Sequence, residues 1–352
     1  MTAILRKTFF NLIFIFIIYL LYVFPYEVFV YLIFKERNIH FSSILFSIFI
    51  YFLMNLYFKF KKNFFIIRIL IYEGMGVGFL SFWVALIGII VHNIFNVDSV
   101  FTGMISLIIL TFLIIKSLLS GIIIKNKKIS FLSNKLKKKL NLIFISDVHL
   151  GSNDKGHLKK ILSKIDQNKI DMLLIGGDLI DSSNFNIEHL TILKEFKKPI
   201  FYVSGNHENY LDNWASTEKS LKNFNIIHLN NKSIKTHGIN IIGVDDNLMI
   251  HEQKSVIEEK FKKDLFNLVI VHKPSVWKGS YEYSDLMLSG HTHNGQIFPF
   301  NFFVKFRFKH LYGIYKKMSS NLYVSSGVGC WGPKMRLGSS NEIVEISIIS
   351  TI

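Results

Sequence analysis

Cysteine is almost absent from this 352-residue sequence, which contains Cys330 and no other. A single cysteine excludes an intramolecular disulfide and any metal site built from several thiolates. This scarcity agrees with a reducing compartment. Because Cys330 stands between Gly329 and Trp331, we expect a small packed side chain there rather than a nucleophile.

Acidic residues are missing from residues 125–140, which carry seven lysines and no Asp or Glu. The formal net charge of the chain is +16, yet residues 141–352 hold 25 Lys+Arg against 21 Asp+Glu. The basic excess therefore belongs to the N-terminal part and to the lysine-rich segment that follows it. The remainder of the chain is nearly neutral, which argues against a nucleic-acid substrate. Short lysine-rich segments are typical of cytoplasmic loops and of contacts with anionic lipid head groups.

Long hydrophobic runs dominate the N-terminal part, over residues 9–34, 41–58, 75–95 and 100–124. A helix needs about 20 apolar residues to cross a bilayer. The runs predict four transmembrane helices, or three, because the second run is short and Pro25 with Glu27 interrupts the first. We divide the chain into a transmembrane region (1–124), a basic juxtamembrane linker (125–140) and a globular domain (141–352).

Basic residues also predict orientation. They precede the first run, separate the second from the third, and follow the fourth, which places the globular domain on the cytoplasmic side of the inner membrane. Lys35 and Arg37 conflict with this pattern, because they fall in a loop placed outside. The bilayer is thus the first predicted partner.

Five segments of the globular domain place polar residues directly after short apolar runs that are typical of buried strands. In α/β proteins, ligands bind where such strands end, so we expect these side chains to meet at one sheet edge. Strands alternate with helices up to about residue 224 and dominate thereafter, which predicts two packed sheets with helices outside. The segments are Asp147-Val148-His149, Gly176-Gly177-Asp178, Gly205-Asn206-His207-Glu208, Val271-His272 and Gly290-His291-Thr292-His293.

Carboxylates, imidazoles and an amide are suitable ligands for a two-metal site. Seven ligands, one of them shared, fit two divalent ions that keep positions open for water and phosphate. Asp178 follows a glycine pair, and its two oxygens could bridge the ions. The candidate ligands are Asp147, His149, Asp178, Asn206, His272, His291 and His293.

These segments, together with the longer stretches SDVHLG (146–151), GDLID (177–181) and SGHTHNGQ (289–296), resemble the calcineurin-like metallophosphoesterases over about residues 141–349. The resemblance implies a four-layered αββα sandwich and two divalent metals, Mn, Fe or Zn, with Mn preferred. It implies a first ion held by Asp147, His149, Asp178 and His293, and a second held by Asp178, Asn206, His272 and His291. It further implies that His207 assists the leaving group or the phosphate. Separately, we expect Asp181 and Glu208 to orient ligands by hydrogen bonds.

Two features narrow the class. Ser182 and Ser183 follow Asp181 where protein Ser/Thr phosphatases of this superfamily carry Arg-Gly, which argues against a phosphoprotein substrate. The Gly-His-Thr-His-x-Gly-Gln motif resembles a bacterial membrane-associated branch that includes phosphodiesterases and UDP-2,3-diacylglucosamine pyrophosphatases, although Asn294 replaces the usual Gly.

The expected function is a membrane-anchored phosphohydrolase that cleaves a phosphodiester or pyrophosphate bond through a metal-bridging hydroxide. A lipid-linked substrate such as UDP-2,3-diacylglucosamine is one hypothesis within it. The alternative is a membrane transport or sensory protein with a regulatory phosphoesterase-like domain.

Three further features have open interpretations. An aromatic run can form an apolar lip that dips into the bilayer, or it can pack a hairpin in the core. Lys273 and Arg336 are candidates for additional phosphate contacts. The run comprises Phe298, Phe300, Phe302, Phe303, Phe306 and Phe308.

Overall fold

The computed structural model describes residues 3–36, 41–60, 65–182 and 185–352. The chain divides into two compact units. The first comprises Met1–Leu119 with Gly332–Met335, and the second comprises Ser120–Trp331 with Arg336–Ile352. Arg37 and Ser183, on which two of the sequence arguments partly rest, lie outside the described residues.

The first unit is helical. A π-helical turn, Tyr19–Val23, joins its first two helices into one continuous segment. Among the described residues, four helical segments are long and apolar enough to cross a membrane, namely Leu5–Phe34, Phe41–Lys59, Ile66–Phe95 and Ser99–Ile122. The helices are α1 (Ala3–Ile18), α2 (Phe24–Phe34), α3 (Phe41–Phe60), α4 (Phe65–Phe95) and α5 (Ser99–Ile122).

The first span remains continuous despite Pro25 and Glu27. Pro25 lies at the start of α2, directly after the π-helical turn, where the backbone N–H of Phe24 donates to the carbonyl of Tyr19. The Glu27 carboxylate accepts hydrogen bonds from the hydroxyls of Tyr19 (2.7 Å) and Ser43 (2.6 Å). The polar group that made the run look interrupted is therefore satisfied within the helical unit.

The third span begins earlier than the hydropathy pattern suggests. α4 starts at Phe65, so Arg68, one of the basic residues that separate the second apolar run from the third, lies within a helix rather than in a loop. A helix continues wherever its backbone hydrogen bonds do, and long charged side chains near a span end can reach polar surroundings. Apolar character alone therefore places the start of this helix too late.

The second unit contains two six-stranded sheets. The first has the order β1-β12-β2-β3-β4-β5, and the second has the order β10-β11-β9-β8-β7-β6. The strands are β1 (Ile124–Ser133), β2 (Leu140–Ile145), β3 (Met172–Gly176), β4 (Ile200–Val203), β5 (Ile226–His228), β6 (Lys232–Thr236), β7 (Ile239–Val244), β8 (Phe266–Val271), β9 (Leu286–Ser289), β10 (Gly313–Lys317), β11 (Ser320–Val324) and β12 (Asn341–Ser350).

The two sheets pack face to face with helices on both outer sides. Alternation within β2 shows how, because Leu142 and Phe144 enter the core between the sheets while Ile143 and Ile145 face the outer helices. Strands buried on both faces are apolar throughout, as the sequence pattern indicated. The predicted four-layered αββα sandwich is confirmed. The helices are α6 (Lys155–Ser163), α7 (Trp214–Leu221), α8 (Ile250–Lys260), α9 (Trp277–Ser280) and α10 (Phe300–Arg307).

The basic segment expected to be a linker contains an edge strand. β1 pairs in parallel with β12 along its whole length, from Ile124 opposite Asn341 to Ser133 opposite Ser350. Its lysines 125, 127 and 128 are exposed, whereas Ile124 and Phe131 are buried. Lysines protect the free edge of a sheet from pairing with other chains. The many lysines of residues 125–140 suggested a linker and so concealed the strand β1 in the sequence.

Candidate metal centre

All seven predicted ligands follow the carboxyl ends of five strands, namely β2, β3, β4, β8 and β9. Within each sheet these strands run parallel to one another, so each sheet delivers its ligands to one edge. These strands are almost entirely buried, so packing on both faces holds the residues at their carboxyl ends in place. A rigid sheet edge is the kind of support that a metal site needs.

One group of ligands comes from β2 and the loop after β9. Candidate ligand atoms of Asp147, His149 and His293 all lie within 4.8 Å of one another. His149 Nε2 is 3.2 Å from His293 Nε2, and His293 Nε2 is 3.5 Å from Asp147 Oδ1. These three side chains converge on a point that could hold one cation.

A second group joins β3 to the second sheet. Candidate ligand atoms of Asp178, His272 and His291 also lie within 4.8 Å of one another. His272 Nε2 is 3.1 Å from Asp178 Oδ2, and His291 Nδ1 is 3.3 Å from His272 Nε2. This arrangement could hold a second cation.

Asp178 lies between the two groups. Its Oδ2 atom is 3.1 Å from His272 of one group and 4.0 Å from His149 of the other. Its Oδ1 atom accepts a hydrogen bond of 2.9 Å from the backbone N–H of His207. One carboxylate thus faces both groups, as a shared ligand would.

The donor set fits divalent cations. Asp147 and Asp178 are both buried, and burial raises the pKa of Asp147, with the Asp178 carboxylate adding to the rise and His272 opposing it. Two buried carboxylates close together are costly unless positive charge compensates them. Asn206 Oδ1 is a buried oxygen without a hydrogen-bond partner. Such an atom needs a partner, and a cation supplies one.

Backbone strain concentrates on these ligands. Five of the seven have positive φ, which bulky residues adopt only at a cost of about 1–3 kcal/mol each. Strain of this kind persists where surrounding structure enforces it, and it is common at functional sites. The values are 56° for Asp147, 54° for His149, 51° for Asp178, 73° for His291 and 48° for His293.

Neighbouring groups orient the imidazoles. His272 Nδ1 is 2.8 Å from the carbonyl of Gly176, which fixes the proton on Nδ1 and leaves Nε2 free to bind a cation. His149 Nδ1 lies 3.4 Å from Asp181 Oδ2, so this carboxylate stands beside Nδ1 of the ring. The orienting role expected for Asp181 stays a prediction.

Glu208 holds the loops together. Its buried carboxylate accepts backbone hydrogen bonds from Asp178 (3.1 Å), Ile180 (2.9 Å) and Gly205 (2.7 Å). Burial raises the pKa of Glu208 to about 7, the Asp178 carboxylate adds to the rise, and the N–H groups of Ile180 and Gly205 oppose it. Glu208 thus ties the Asp178 loop to the Asn206 loop.

Neither residue considered as an additional phosphate contact is free to serve as one. Lys273 Nζ pairs with Asp246 Oδ2 at 2.5 Å. Arg336 is completely buried, and its guanidinium donates to the carbonyls of Gly329 (2.6 Å) and His293 (3.1 Å). The sequence interpretation of Arg336 is therefore wrong. This side chain secures the loop that carries His293.

Arg336 also affects the ionisation of that histidine. Burial, and then the nearby guanidinium, hold the pKa of His293 well below its usual range. A neutral imidazole is the form that binds a metal.

His207 stands at the exposed side of the centre. Its ring lies 5.8 Å from that of Trp331 and 5.9 Å from that of Tyr210. Both aromatic residues are largely exposed, at 53% for Trp331 and 72% for Tyr210. Sequence reasoning did not find either of them, because no spacing or periodicity links them to His207. Burial lowers the pKa of His207, so its imidazole is neutral at pH 7.

A buried carboxylate on β12 supports the centre from behind. Glu342 accepts hydrogen bonds from the hydroxyls of Tyr323 (2.8 Å) and Ser325 (2.9 Å) and from the backbone N–H of Ser326 (3.1 Å). The turn held in this way brings Gly327 against Asp147, where a Cβ would lie 2.9 Å from that of Asp147. Glu342 lies in an apolar strand pattern, and nothing in the sequence connected it to the site.

Comparison with known proteins agrees with this architecture. Residues 140–295 match the profile described as calcineurin-like phosphoesterase. A Helicobacter pylori protein named "Uncharacterized metallophosphoesterase" is 35% identical over 64% of this chain, and the match covers 64% of that protein. A Campylobacter jejuni protein with a similar name is 34% identical over 60% of each chain.

A relative in cattle is named "Transmembrane protein with metallophosphoesterase domain". It is 29% identical over 59% of this chain and 52% of its own length. The chain thus spans less than two thirds of the length of these relatives. The match nevertheless includes the complete set of ligand-bearing loops up to Gly295. C-terminal to the candidate membrane helices, residues 140–295 of this chain are therefore similar to the calcineurin-like phosphoesterases.

Proposed function

We propose that this protein is a membrane-anchored, dinuclear-metal phosphohydrolase that cleaves a phosphodiester or pyrophosphate bond. The observation that carries the proposal is the position of Asp178, whose Oδ2 faces both groups of candidate ligands. The first group would hold one cation through Asp147, His149 and His293, and the second would hold another through His272, His291 and Asn206. Both groups share Asp178.

Two divalent cations supply Lewis acidity when bound, since they polarise phosphoryl oxygens and lower the pKa of water. Mn is the cation we would test first. The residues of the chain provide the remaining functions. The Gly176 carbonyl holds His272 with Nε2 toward the centre, and the Asp181 carboxylate lies beside Nδ1 of His149. The parallel strands hold the ligands in place before substrate arrives, which avoids reorganisation during the reaction.

His207 is the residue we assign to the leaving group. Its side chain is mostly enclosed yet reaches solvent, with an exposure of 17%. A neutral imidazole can donate one N–H hydrogen bond to a phosphoryl oxygen or to the departing oxygen. Its aromatic neighbours limit the directions in which the ring can turn.

The decisive experiment compares wild type with Asp178→Asn in detergent-purified full-length protein, using bis(p-nitrophenyl) phosphate and Mn²⁺. The substitution keeps the shape of the side chain and removes the charge that both groups share. We expect turnover to fall about a hundred- to thousandfold and bound Mn, measured by elemental analysis, to fall below two ions per chain. Asp264→Asn, at an exposed position, is the matched control and should behave as wild type.

Two results would contradict the proposal. Equal turnover by Asp178→Asn and wild type would remove Asp178 from the reaction. Wild-type protein that binds no metal and hydrolyses nothing would favour the alternative of a transport or sensory protein with a regulatory domain.

The bond type and the substrate require direct product analysis. We propose a lipid-linked phosphate ester, with UDP-2,3-diacylglucosamine as the first compound to test. Release of UMP from it would identify a pyrophosphatase. Hydrolysis of bis(p-nitrophenyl) phosphate alone would identify a phosphodiesterase with a different substrate.

A further inference from the structure

The aromatic run between residues 298 and 308 does not pack into the core. Most of it forms α10, and none of the eight residues of this helix is buried. Phe306 is 91% exposed, and four other phenylalanines are about half exposed. Among the described residues of the second unit, every exposed phenylalanine belongs to this run. These residues, Phe298, Phe300, Phe302, Phe303 and Phe306, are called the aromatic face below.

The aromatic face is ordered rather than a loose cluster. Ring pairs form between Phe298 and Phe302 at 5.6 Å and between Phe300 and Phe303 at 6.0 Å. The backbone N–H of Phe298 donates to the carbonyl of Leu337 at 2.8 Å, which anchors the start of the segment. A helix of eight residues has little stability by itself in water. A contiguous group of exposed aromatic rings marks an interaction surface.

Charge around the face indicates what its partner is. Residues 286–341 contain no Asp or Glu, and α10 and its flank carry Lys305, Arg307 and Lys309. All three basic residues are exposed. Phenylalanine combined with lysine and arginine, without acids, is the composition of helices that lie in a lipid interface. Anionic head groups attract the basic residues while the acyl region accepts the rings.

The face is also continuous with the metal centre. The ring of Phe308, at the end of α10, lies 4.8 Å from the ring of His291. The segment begins only a few residues after His293 in sequence. Four candidate membrane spans in the same chain would keep this unit close to a bilayer. A weak contact between the aromatic face and lipid would then form readily, because the effective concentration of lipid is high.

We propose that the aromatic face inserts into the lipid interface and holds the metal centre at head-group level, where lipid phosphoesters are presented to it. The presentation of lipid phosphoesters to the metal centre rests on the proposed hydrolase function, whereas the insertion of the aromatic face does not. The insertion itself is measured without turnover, so the two can fail independently.

The test uses full-length protein in lipid nanodiscs, with an environment-sensitive fluorophore attached at Phe306→Cys in a Cys330→Ala background. Nanodiscs contain phosphatidylcholine, with or without phosphatidylglycerol, and nitroxide-labelled acyl chains as quencher. A label at Ser216→Cys, an exposed position on α7, is the matched control. We expect quenching at position 306 to exceed that at position 216 at least twofold, and to increase with phosphatidylglycerol.

Equal quenching at positions 306 and 216 would overturn the proposal and would assign the face to a partner other than lipid. A second label at Phe303→Cys controls for a local effect of replacing Phe306. Quenching at position 303 must also exceed quenching at position 216. Turnover of bis(p-nitrophenyl) phosphate is followed in the same samples. Loss of quenching with normal turnover would reject insertion alone, whereas strong quenching without turnover would reject the hydrolase function alone.

Discussion

Gln296 and Trp331 exchange two hydrogen bonds across the mouth of the metal centre. Gln296 Nε2 donates to the carbonyl of Trp331 at 2.9 Å, and the backbone N–H of Trp331 donates to Gln296 Oε1 at 3.1 Å. A side-chain amide can form both bonds at once, because its NH₂ group donates and its oxygen accepts. The pair fixes the backbone of Trp331, whose ring lies beside His207. The glutamine of the GHTHNGQ motif thus acts on His207 through an aromatic residue.

Replacing Gln296 by methionine should lower turnover without loss of metal. Met has a similar length and cannot form either hydrogen bond, and each bond contributes about 1 kcal/mol. We expect kcat on bis(p-nitrophenyl) phosphate to fall about five- to tenfold with unchanged metal content. Gln167→Met is the matched control, because Gln167 Oε1 also accepts a backbone hydrogen bond, from Lys197, away from the centre. Equal kinetics for the two variants would refute this role.

Glu208→Gln should destabilise the domain and impair metal binding. In the wild-type protein three backbone N–H groups donate to the Glu208 carboxylate. The substitution replaces one of its oxygens with an NH₂ group, which is itself a donor and cannot accept these bonds. Hydrogen bonds to a charged group contribute about 1.5–3 kcal/mol each, so we expect a loss of about 2–3 kcal/mol. Thermal inactivation in detergent should occur about 5–10 °C lower. Glu259→Gln, at a side chain that is 70% exposed, should leave the midpoint within a degree of wild type.

Asn294 occupies a left-handed conformation, with φ 52° and ψ 33°. This explains why Asn replaces Gly in the motif, since both residues tolerate that region. Asn294→Gly should keep full activity. Asn294→Val should cost about 1–2 kcal/mol and lower turnover, because the strain falls beside His293.

Asn225→Val provides the comparison for this prediction. Asn225 has φ 61° and lies outside the centre, so the same replacement should reduce stability to a similar extent and leave turnover unchanged. If both valine variants lost turnover equally, local geometry at residue 294 would not be the cause.

Gly205→Ala should disturb Asp178 directly. A Cβ at this position would lie 2.6 Å from the Asp178 backbone nitrogen and 2.9 Å from its Cγ, so one of the two loops must move. We expect at least a tenfold loss of turnover together with weaker metal retention during gel filtration. At Gly279 an added Cβ would meet only the Lys254 Cδ atom at 3.7 Å, and Gly279→Ala should retain wild-type properties.

Chelation should lower thermal stability in a way that depends on the proposed ligands. A ligand present at a hundred times its Kd stabilises the folded state by about 2.7 kcal/mol. Removing metal from the wild-type protein with EDTA should therefore lower the inactivation midpoint by about 5–10 °C. Asp178→Asn should show a much smaller shift. An identical shift in both proteins would indicate that the metal binds elsewhere.

Much of the fold follows from local sequence signals. The apolar runs before Asp147 and Asp178 are the strands β2 and β3, and their doubly buried faces need no tertiary information to be recognised. Among the elements that alternate with the early strands, Ile187–Glu195 consists of 3₁₀ turns rather than a regular α-helix. β10 was not predicted, because its sequence, Gly313–Lys317, is polar and half exposed.

The sequence by itself determined the identity of the candidate ligands, since donor chemistry and strand-end position are local properties. It also located the apolar runs that form the candidate membrane helices, because crossing a bilayer depends on length and hydropathy. Tertiary structure decided everything that depends on distant residues meeting. It placed Arg336 against the carbonyl of His293 rather than facing the site, paired Gln296 with Trp331, and made a lysine-rich segment an edge strand beside β12. It also left α10 exposed, because burial depends on which surfaces remain after the sheets have packed.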